Sequence, residues 1–350
     1  MLDVDTSKYV LGLSIIDGIT GEITAETRQI SNAARFSCAA VRLDGSYWAI
    51  VDSQPAPAGI DALILALAKL ITYAVNRQPP EFKMLGIGLM VGGQISGGSI
   101  LNSPNLGIQS PYDFTGKLRE ACSLPNAVYL MIENDANAVA RRMTWFDAVE
   151  GEDSFALVLL KEDGIGCGIA ENGRVKEGPT GRSGELGHIP IALTDKPECR
   201  CGNKGCLETV ASLTSMAQHL EEFGSAEDAL KRLYARIADL ADDNAQKELR
   251  AAAQYFGEAI GTLINIADPG LIVVLAPDAM LDHPHWQGNV RKSAMDCVVG
   301  TSTRPGPDIR FARLPSDAEY AAAGATQVIE QIIRNPLLNA KKQAPMVGDV

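Results

Sequence analysis

The sequence is short of several features, and each shortage argues against a class of protein. Aromatic residues make up only 5% of its 350 residues, and no apolar run approaches the roughly 18 residues of a membrane-spanning helix. No basic stretch followed by an apolar one opens the chain, so we expect no secretory signal and no membrane partner. Seven cysteines, an odd number, do not suggest a disulfide framework, and we therefore expect a reducing, cytoplasmic environment.

Positive charge is also scarce. The chain has 31 Lys and Arg against 43 Asp and Glu, a net charge of −12, and the basic residues form no cluster. Nucleic-acid binding draws most of its affinity from Lys and Arg that neutralise phosphates, so we expect no direct nucleic-acid binding. The hydrophobic content of 46% is that of a soluble globular protein, and the length suits one large or two ordinary domains.

Strand-like and helix-like segments alternate along the chain. Apolar runs of strand length lie at Tyr9–Ile16, Phe36–Leu43, Tyr47–Val51, Leu85–Val91, Ala127–Ile132, Phe155–Leu160 and Leu271–Leu275. Gly164-Ile165-Gly166-Cys167-Gly168 predicts a glycine turn, and Ile169–Val175 an arm of a hairpin with Asn172-Gly173 at its tip. Helical spacing of apolar residues or helix-length segments mark Ile60–Asn76, Phe114–Ala121, Leu213–Phe223, Ala226–Leu240, Asp242–Ala267 and Glu319–Ile333. This alternation predicts an α/β fold with mainly parallel strand pairing. We expect an N-terminal domain over 1–136, completed by a C-terminal helix at about 319–335, a second domain over 137–318, and a loose tail over 336–350.

One segment concentrates residues that bind metals. His188, Cys199, Cys201 and Cys206 follow the spacing H-x10-C-x-C-x4-C, so that three of the seven cysteines and one of the four histidines lie in this short stretch. Four unrelated residues are the alternative, since a free cysteine is often a small buried hydrophobe. Cys3His is one of the closed ligand sets of structural zinc, and the spacing therefore predicts a zinc site.

Two carboxylates flank these ligands. Glu185 precedes His188 by three residues, and Glu208 follows Cys206 by two. A histidine that binds metal through one ring nitrogen offers the other to a carboxylate or to a ligand hydroxyl. Such a cluster of acceptors suits a neutral polyol, whose hydroxyls need fixed partners.

These motifs resemble a known family. G-E-L-G-H followed by C-x-C-G-x-x-G-C-x-E is similar to the signature of the ROK family, which comprises repressors, uncharacterised reading frames and sugar kinases. E-N-D-A-N at Glu133–Asn137 resembles the catalytic motif of that family, and S-P-N-L at Ser103–Leu106 resembles its substrate loop. The resemblance implies the two-domain actin–hexokinase-like fold, related to ribonuclease H, with a central cleft and a zinc-stapled loop. It also implies a homo-oligomer, either a dimer or a tetramer.

The resemblance assigns roles to individual residues. Asp135 would be the base of a kinase, while Asn105, Asn134 and Asp135 would hold the far hydroxyls of a sugar. Glu185, His188 and Glu208 would hold its anomeric side. Read without the family, Asn134 or Asp135 has an alternative as a helix cap, and Asn105 has one as a turn residue after Pro104.

The positions expected for ATP and Mg²⁺ depart from the family pattern. The first phosphate loop, D-x-G-G-T in the kinases, has Ser14 in place of the metal-linked Asp, and Ile16 and Asp17 in place of the glycine pair. The second loop carries Glu162 and Asp163 before the intact Gly164-Ile165-Gly166, where two carboxylates would repel a polyphosphate. Finally, the strand at Leu271–Leu275 ends in Ala276 and Pro277 where the kinases have two glycines.

Two functions of different classes remain. The first is a non-catalytic sensor of a hexose or N-acetylhexosamine, related to the ROK transcriptional regulators; only eight residues precede the first strand, too few for their helix-turn-helix. The second is an ATP-dependent hexose or N-acetylhexosamine kinase, similar to glucokinase or N-acetylmannosamine kinase. In that case the segment Asp17–Ala34 would have to rebuild a phosphate site, for example with Thr20, Gly21 or Arg28.

Overall fold

The chain folds into two units, each built around its own five-stranded sheet. Unit 1 comprises Met1–Ile16, Arg35–Ala148 and Ser316–Val350, and unit 2 comprises Asp17–Ala34 and Val149–Pro315. The computed structural model describes residues 7–18, 22–23, 33–79, 81–147, 149, 152–162, 164–191, 196–300 and 305–335. The tail at 336–350 and most of the segment 17–34 therefore lie outside the described residues.

The elements follow one another in a mixed α/β order. The strands are β1 (Lys8–Gly18), β2 (Glu22–Ile23), β3 (Ala33–Arg42), β4 (Tyr47–Pro55), β5 (Lys83–Val91), β6 (Gln94–Ser96), β7 (Ser99–Asn102), β8 (Tyr129–Asn134), β9 (Phe155–Leu160), β10 (Ile165–Glu171), β11 (Arg174–Val175), β12 (Gly224–Ser225), β13 (Leu271–Ala276) and β14 (Asp308–Arg313). The helices are α1 (Ile60–Asn76), α2 (Phe114–Ala121), α3 (Asp135–Trp145), α4 (Glu208–Ala211), α5 (Leu213–His219), α6 (Ala226–Ala238), α7 (Asp243–Ala267), α8 (Asp278–Leu281), α9 (Trp286–Cys297) and α10 (Asp317–Arg334). Two short 3-10 helices lie at Pro104–Leu106 and Leu186–His188.

The two sheets share one strand order. In unit 1 the order is β4-β3-β1-β5-β8, and in unit 2 it is β11-β10-β9-β13-β14. In each sheet the first strand in sequence is central, and two parallel neighbours follow on one side. The outer pair on the other side is antiparallel. The predicted α/β class is confirmed, but the expectation of mainly parallel pairing is wrong, because the β9–β10 and β10–β11 hairpins make half of the unit 2 pairings antiparallel.

Most of the longer elements lie where the sequence predicts them, whereas the short elements β2, β6, β7, β12, α4 and α8 were not predicted. Helices α1 and α2 have the predicted bounds, whereas α9 and β14 were not anticipated. The division between the units falls after residue 148 rather than after 136. This difference arises because α3 packs against β8 and α10 within unit 1.

Helix α10 lies with its backbone directly on the unit 1 sheet. A Cβ atom at Gly12 of β1 would lie 1.9 Å from the carbonyl oxygen of Ala321, and one at Gly88 of β5 would lie 2.0 Å from that of Gly324. A Cβ at Gly324 itself would lie 2.6 Å from the carbonyl oxygen of Leu13. Since real Cβ atoms do not approach this closely, glycine is needed on both sides of the contact. The last helix of the chain is therefore part of the core of the first sheet.

Unit 2 has a separate core. Strands β9 and β13 are buried at every position, as expected of central strands covered on both faces. Trp286 of α9 stacks on Phe256 of α7 at a ring-centroid distance of 6.1 Å. In the part of the chain that the structure describes, no helix combines the length and the apolar character that crossing a bilayer requires.

The contact of α10 with the sheet gives a prediction about stability. We expect Gly88→Ala to lower the free energy of unfolding by about 1–3 kcal/mol or more, because the new methyl group meets backbone that cannot rotate away. Gly288→Ala is the matched control, because Gly288 lies in α9 with no atom within 4 Å of an added Cβ. We expect this variant to raise the free energy of unfolding by up to about 1 kcal/mol. Urea denaturation followed by circular dichroism measures both changes, and an unchanged midpoint for Gly88→Ala would contradict the packing described.

Candidate functional site

The junction between β8 and α3 carries the first predicted site residues. Asn134 is the N-cap of α3, and its Oδ1 accepts hydrogen bonds from the backbone N–H groups of Ala136 and Asn137 at 3.0 and 3.2 Å. The capping interpretation therefore holds for Asn134, whose Nδ2 also donates to the carbonyl oxygen of Gly93 at 3.0 Å. Asp135 is the first helical residue and is only 6% exposed. Its role as a base or sugar ligand stays a prediction.

The S-P-N-L loop reaches the same turn as Asn134. The buried hydroxyl of Ser103 donates to the carbonyl oxygen of Gly92 at 2.8 Å, next to the carbonyl that Asn134 holds. Gly93 has a φ of +131°, and a Cβ there would lie 2.6 Å from the carbonyl oxygen of Asn102. Asn105 lies in the 3-10 helix that follows, and its side chain is outside the described part of the structure. Two motifs that are separate in sequence thus meet at Gly92–Gly93, and Ser103 is a supporting residue that the sequence reading did not single out.

In unit 2, the two glycines of G-E-L-G-H allow the motif to pack closely against the backbone of β10. A Cβ at Gly184, where φ is +81°, would lie 2.1 Å from the carbonyl oxygen of Cys167. A Cβ at Gly187 would lie 2.3 Å from that of Ile165. Because the backbones touch, Glu185 and His188 are carried on a segment that is fixed to the sheet.

The four residues predicted to bind metal lie together. His188, Cys199, Cys201 and Cys206 each offer a ligand atom, and these atoms all lie within 4.8 Å of one another. The Sγ atoms of Cys201 and Cys206 are 3.7 Å apart, and Sγ of Cys199 is 3.6 Å from Nδ1 of His188. The loop between them turns through Gly202 and Gly205, which both have a positive φ. These four residues could therefore hold a metal ion.

Two thiols of this cluster, those of Cys199 and Cys206, have a raised pKa. Burial, and then the Glu208 carboxylate, raise the pKa of Cys199. Burial, followed by contact with Cys201, raises the pKa of Cys206 to about 11. A bound cation reverses this balance, since a coordinating thiol is deprotonated.

Two carboxylates lie on either side of His188. Oε1 of Glu208 is 3.6 Å from Nδ1, and Oε2 of Glu185 is 3.8 Å from Nε2. The Glu208 side chain is buried and accepts a hydrogen bond from the thiol of Cys199 at 3.1 Å, whereas that of Glu185 is 38% exposed. The guanidinium of Arg200 approaches Glu208 at 3.5 Å, a neighbour that the sequence reading missed although it lies between two cysteine ligands.

Ser14 is the first of the positions expected to contact a nucleotide, and its side chain lies in the interior of unit 1. Ser14 is completely buried, and its hydroxyl is 2.6 Å from that of Ser37. Ser37 donates in turn to the carbonyl oxygen of Asp317 at 2.8 Å, which leaves Ser14 to donate to Ser37. The hydroxyl at position 14 is thus engaged within unit 1. The side chain of Asp17 is outside the described part of the structure.

The other altered positions lie in unit 2. The carbonyl oxygen of Glu162 accepts a hydrogen bond from the backbone of Thr214 at 2.9 Å, and burial, together with the Glu162 charge, raises the pKa of Tyr234. Asp163 is outside the described residues. Ala276 ends β13 fully buried, and Pro277, which has no N–H, is the N-cap of α8. The six predicted sugar residues fall three in each unit: Asn105, Asn134 and Asp135 in unit 1, and Glu185, His188 and Glu208 in unit 2.

The fold and these motifs can now be compared with known proteins. Two sheets of one strand order define the actin–hexokinase-like class of folds, and the structure of a ROK family glucokinase from Streptomyces griseus in complex with glucose and AMPPNP superposes with a TM-score of 0.71 at 21% identity, covering 92% of this chain and 99% of that one. The ROK family profile matches residues 34–331, and the chain belongs to the ROK family.

Curated relatives fall into two functional groups. A glucokinase of Halalkalibacterium halodurans is 33% identical over 264 residues, which are 69% of this chain and 75% of the glucokinase. A xylose repressor of Bacillus subtilis is 29% identical over 237 residues, 66% of this chain. The match spans 58% of the repressor's length. Likeness alone therefore does not choose between a kinase and a regulator.

The cluster of four ligands gives a prediction about metal content. We expect the purified protein to hold one metal ion per chain and Cys201→Ser to lose most of it, because three ligands bind far more weakly than four. Cys297→Ser is the control, since Cys297 is exposed and outside the cluster. Elemental analysis after dialysis measures the ion. A metal-free wild-type protein, or equal metal in both variants, would contradict the assignment.

Proposed function

We propose that the protein binds a hexose or an N-acetylhexosamine beside a structural zinc ion and does not phosphorylate it. The observation that carries the proposal is the burial of Ser14 in a hydroxyl chain with Ser37, where a kinase needs a carboxylate linked to Mg²⁺. The motifs for the sugar are complete, whereas those for the nucleotide are altered at three places. We further propose that the protein acts in the cytoplasm as a homo-oligomeric sensor, like the regulators of its family.

Zinc is supported by the distances within the ligand cluster. Zinc–sulfur bonds of about 2.3 Å and zinc–nitrogen bonds of about 2.0 Å at tetrahedral angles put two sulfurs about 3.8 Å apart, and a sulfur and a nitrogen about 3.5 Å apart. The 3.7 Å between Cys201 and Cys206, and the 3.6 Å between Cys199 and His188, agree with these values. The ion would close the loop that carries Glu185 and Glu208, leaving Nε2 of His188 for a ligand.

Each unit contributes three of the residues that we assign to the sugar. Glu185 and Glu208 are acceptors, Nε2 of His188 donates or accepts, and Asp135 is the first residue of α3. Asn134 uses Oδ1 for the cap and one N–H for Gly93, so that its second N–H is the group we assign to a sugar hydroxyl. The glucose bound to the Streptomyces griseus glucokinase supports a hexose as the ligand class.

The kinase alternative rests on two observations. The relative of 33% identity is a glucokinase, and the acid expected as catalytic base is present as Asp135. In a kinase Asp135 would take the proton of the attacking hydroxyl, whereas in a sensor it would only accept a hydrogen bond. Against a kinase, Ser14 stands where the kinase motif has its metal-linked carboxylate. Pro277 also lacks the N–H that a glycine would offer there.

The sugar site gives a prediction about affinity. We expect Glu185→Gln, Glu208→Gln and Asn134→Asp each to weaken hexose binding by about 1–3 kcal/mol, because each leaves a sugar hydroxyl without its partner. Asn134→Asp keeps the acceptor that caps α3 but loses the donation to Gly93, so circular dichroism must show that this variant is folded. Glu198→Gln, an exposed carboxylate of the zinc loop that pairs with Lys204, is the control. Calorimetry with glucose, N-acetylglucosamine and N-acetylmannosamine measures the affinities, and unchanged values in all three variants would mean that the residues serve another ligand.

The altered phosphate positions give a prediction about catalysis. We expect no turnover of ATP with any common hexose and no tight ATP binding in the presence of Mg²⁺, because the phosphates would meet neither a metal-linked carboxylate nor the paired glycines. A coupled assay for ADP with a panel of hexoses tests this. Turnover above background that Asp135→Asn abolishes would establish the kinase instead.

A further inference from the structure

Glu133 is the first residue of the E-N-D-A-N motif and is not among the residues that we assign to the sugar. Its side chain pairs with an arginine instead. Glu133 is the penultimate residue of β8 and is 4% exposed. Its carboxylate accepts hydrogen bonds from Nε of Arg141 at 3.0 and 3.1 Å and from Nη2 at 2.5 Å. Arg141 lies on α3, so the contact closes a loop of chain that contains Asn134 and Asp135.

The same guanidinium reaches a third element. Nη1 of Arg141 donates to the carboxylate of Glu330 on α10, and Glu330 also accepts a hydrogen bond from Nε of Arg334 at 2.7 Å. Arg334 lies over the ring of Trp145 on α3, 5.1 Å from its centroid. The side chains of Arg141 and Glu330 are 9% and 11% exposed. One arginine therefore joins the end of β8, the body of α3 and the last helix of the chain.

We expect this network to matter more for the geometry of the β8–α3 junction than for the stability of the fold. Charges buried in pairs lose their hydration, and apolar residues of the same volume often stabilise a fold equally well. A guanidinium, however, presents its donors in a rigid planar fork and accepts only a narrow range of carboxylate positions. The fork consequently restricts the backbone between Glu133 and Arg141, where the motif turns from strand to helix.

We infer that Arg141 is a positioning residue for the sugar site: through Glu133 and Glu330, it holds the β8–α3 junction so that Asn134 and Asp135 face the ligand in one fixed geometry. The inference rests on the proposed sugar binding. Arg141→Lys keeps the positive charge, but a lysine cannot reach both carboxylates at once. This variant therefore tests the geometry of the contact without changing the charge.

The test is a double-mutant cycle read by calorimetry with glucose and N-acetylglucosamine. We expect Arg141→Lys to weaken binding by about tenfold. Because Arg141 acts through Asn134 and Asp135, adding Arg141→Lys to Asp135→Asn removes only the part that Asn134 carries, so the further loss should be no more than about threefold. A residue that supports the fold alone would give additive losses, as independent sites do, and additivity would overturn the inference.

Two further variants secure the result. Arg334→Lys changes the other arginine on Glu330 without touching Glu133, and it should leave both affinities within about twofold of the wild-type values. Should Arg141→Lys fail to fold by circular dichroism, the nearly isosteric Glu133→Gln takes its place in the cycle, with a loss of at least about threefold that is likewise non-additive with Asp135→Asn. Absence of sugar binding in the wild type would refute the proposed function. Wild-type affinity in both Arg141→Lys and Glu133→Gln, with a loss in Asp135→Asn, would refute only the positioning role.

Discussion

The close approach of α10 to the first sheet is the contact on which unit 1 depends. The backbones of α10 and the sheet are in direct contact at Gly12, Gly88 and Gly324. This close contact brings side chains of α10 within hydrogen-bonding distance of unit 1 residues. Gln327 of α10 donates to the carbonyl oxygen of Leu89 in β5 at 3.0 Å. At the N-terminal end of α10, the carbonyl oxygen of Asp317 accepts a hydrogen bond from the hydroxyl of Ser37. In its C-terminal half, the carboxylate of Glu330 accepts one from Arg141. Ser37, which contacts Ser14, and Arg141, which contacts the end of β8, are thereby attached to opposite ends of one helix.

Under the proposed function, this arrangement would let a ROK scaffold keep its sugar positions while its nucleotide positions change. The predicted sugar residues are carried on segments fixed by backbone contacts, at Gly93 in unit 1 and at Gly184 and Gly187 in unit 2. The positions expected for the nucleotide depend on individual side chains and loop glycines. At Ser14 the side chain has become an internal hydrogen-bonding group.

Much of the fold followed from the sequence because most elements are amphipathic or wholly apolar. Helix α1 was predictable from its apolar spacing, and β9 and β13 from unbroken apolar runs. Strand β14 was missed because only Ile309 among its residues is buried, as suits an edge strand with charged neighbours. Helix α9 was missed because its buried face consists of Trp286, Val290 and Ala294 alone.

The site was predictable where a motif is local and unpredictable where partners come from distant parts of the chain. The spacing of the four metal-binding residues is enough to bring them together on one loop, and the structure does so. Glu330 is 189 residues from Arg141, and Ser37 meets Ser14 from another strand. No periodicity or spacing encodes such pairs, because they depend on how the strands are ordered in the sheet.

The position of α10 in the sequence also bears on how the protein is made. Val10, Val41 and Leu85 belong to a core that α10 completes with Ala322, Val328 and Ile329, yet the whole of Val149–Pro315 is translated before that helix. Unit 2 has its second segment in full while the first sheet still exposes an apolar face. Since domains generally fold as units during synthesis, we expect unit 1 to complete its core only when α10 has been translated, after the second segment of unit 2.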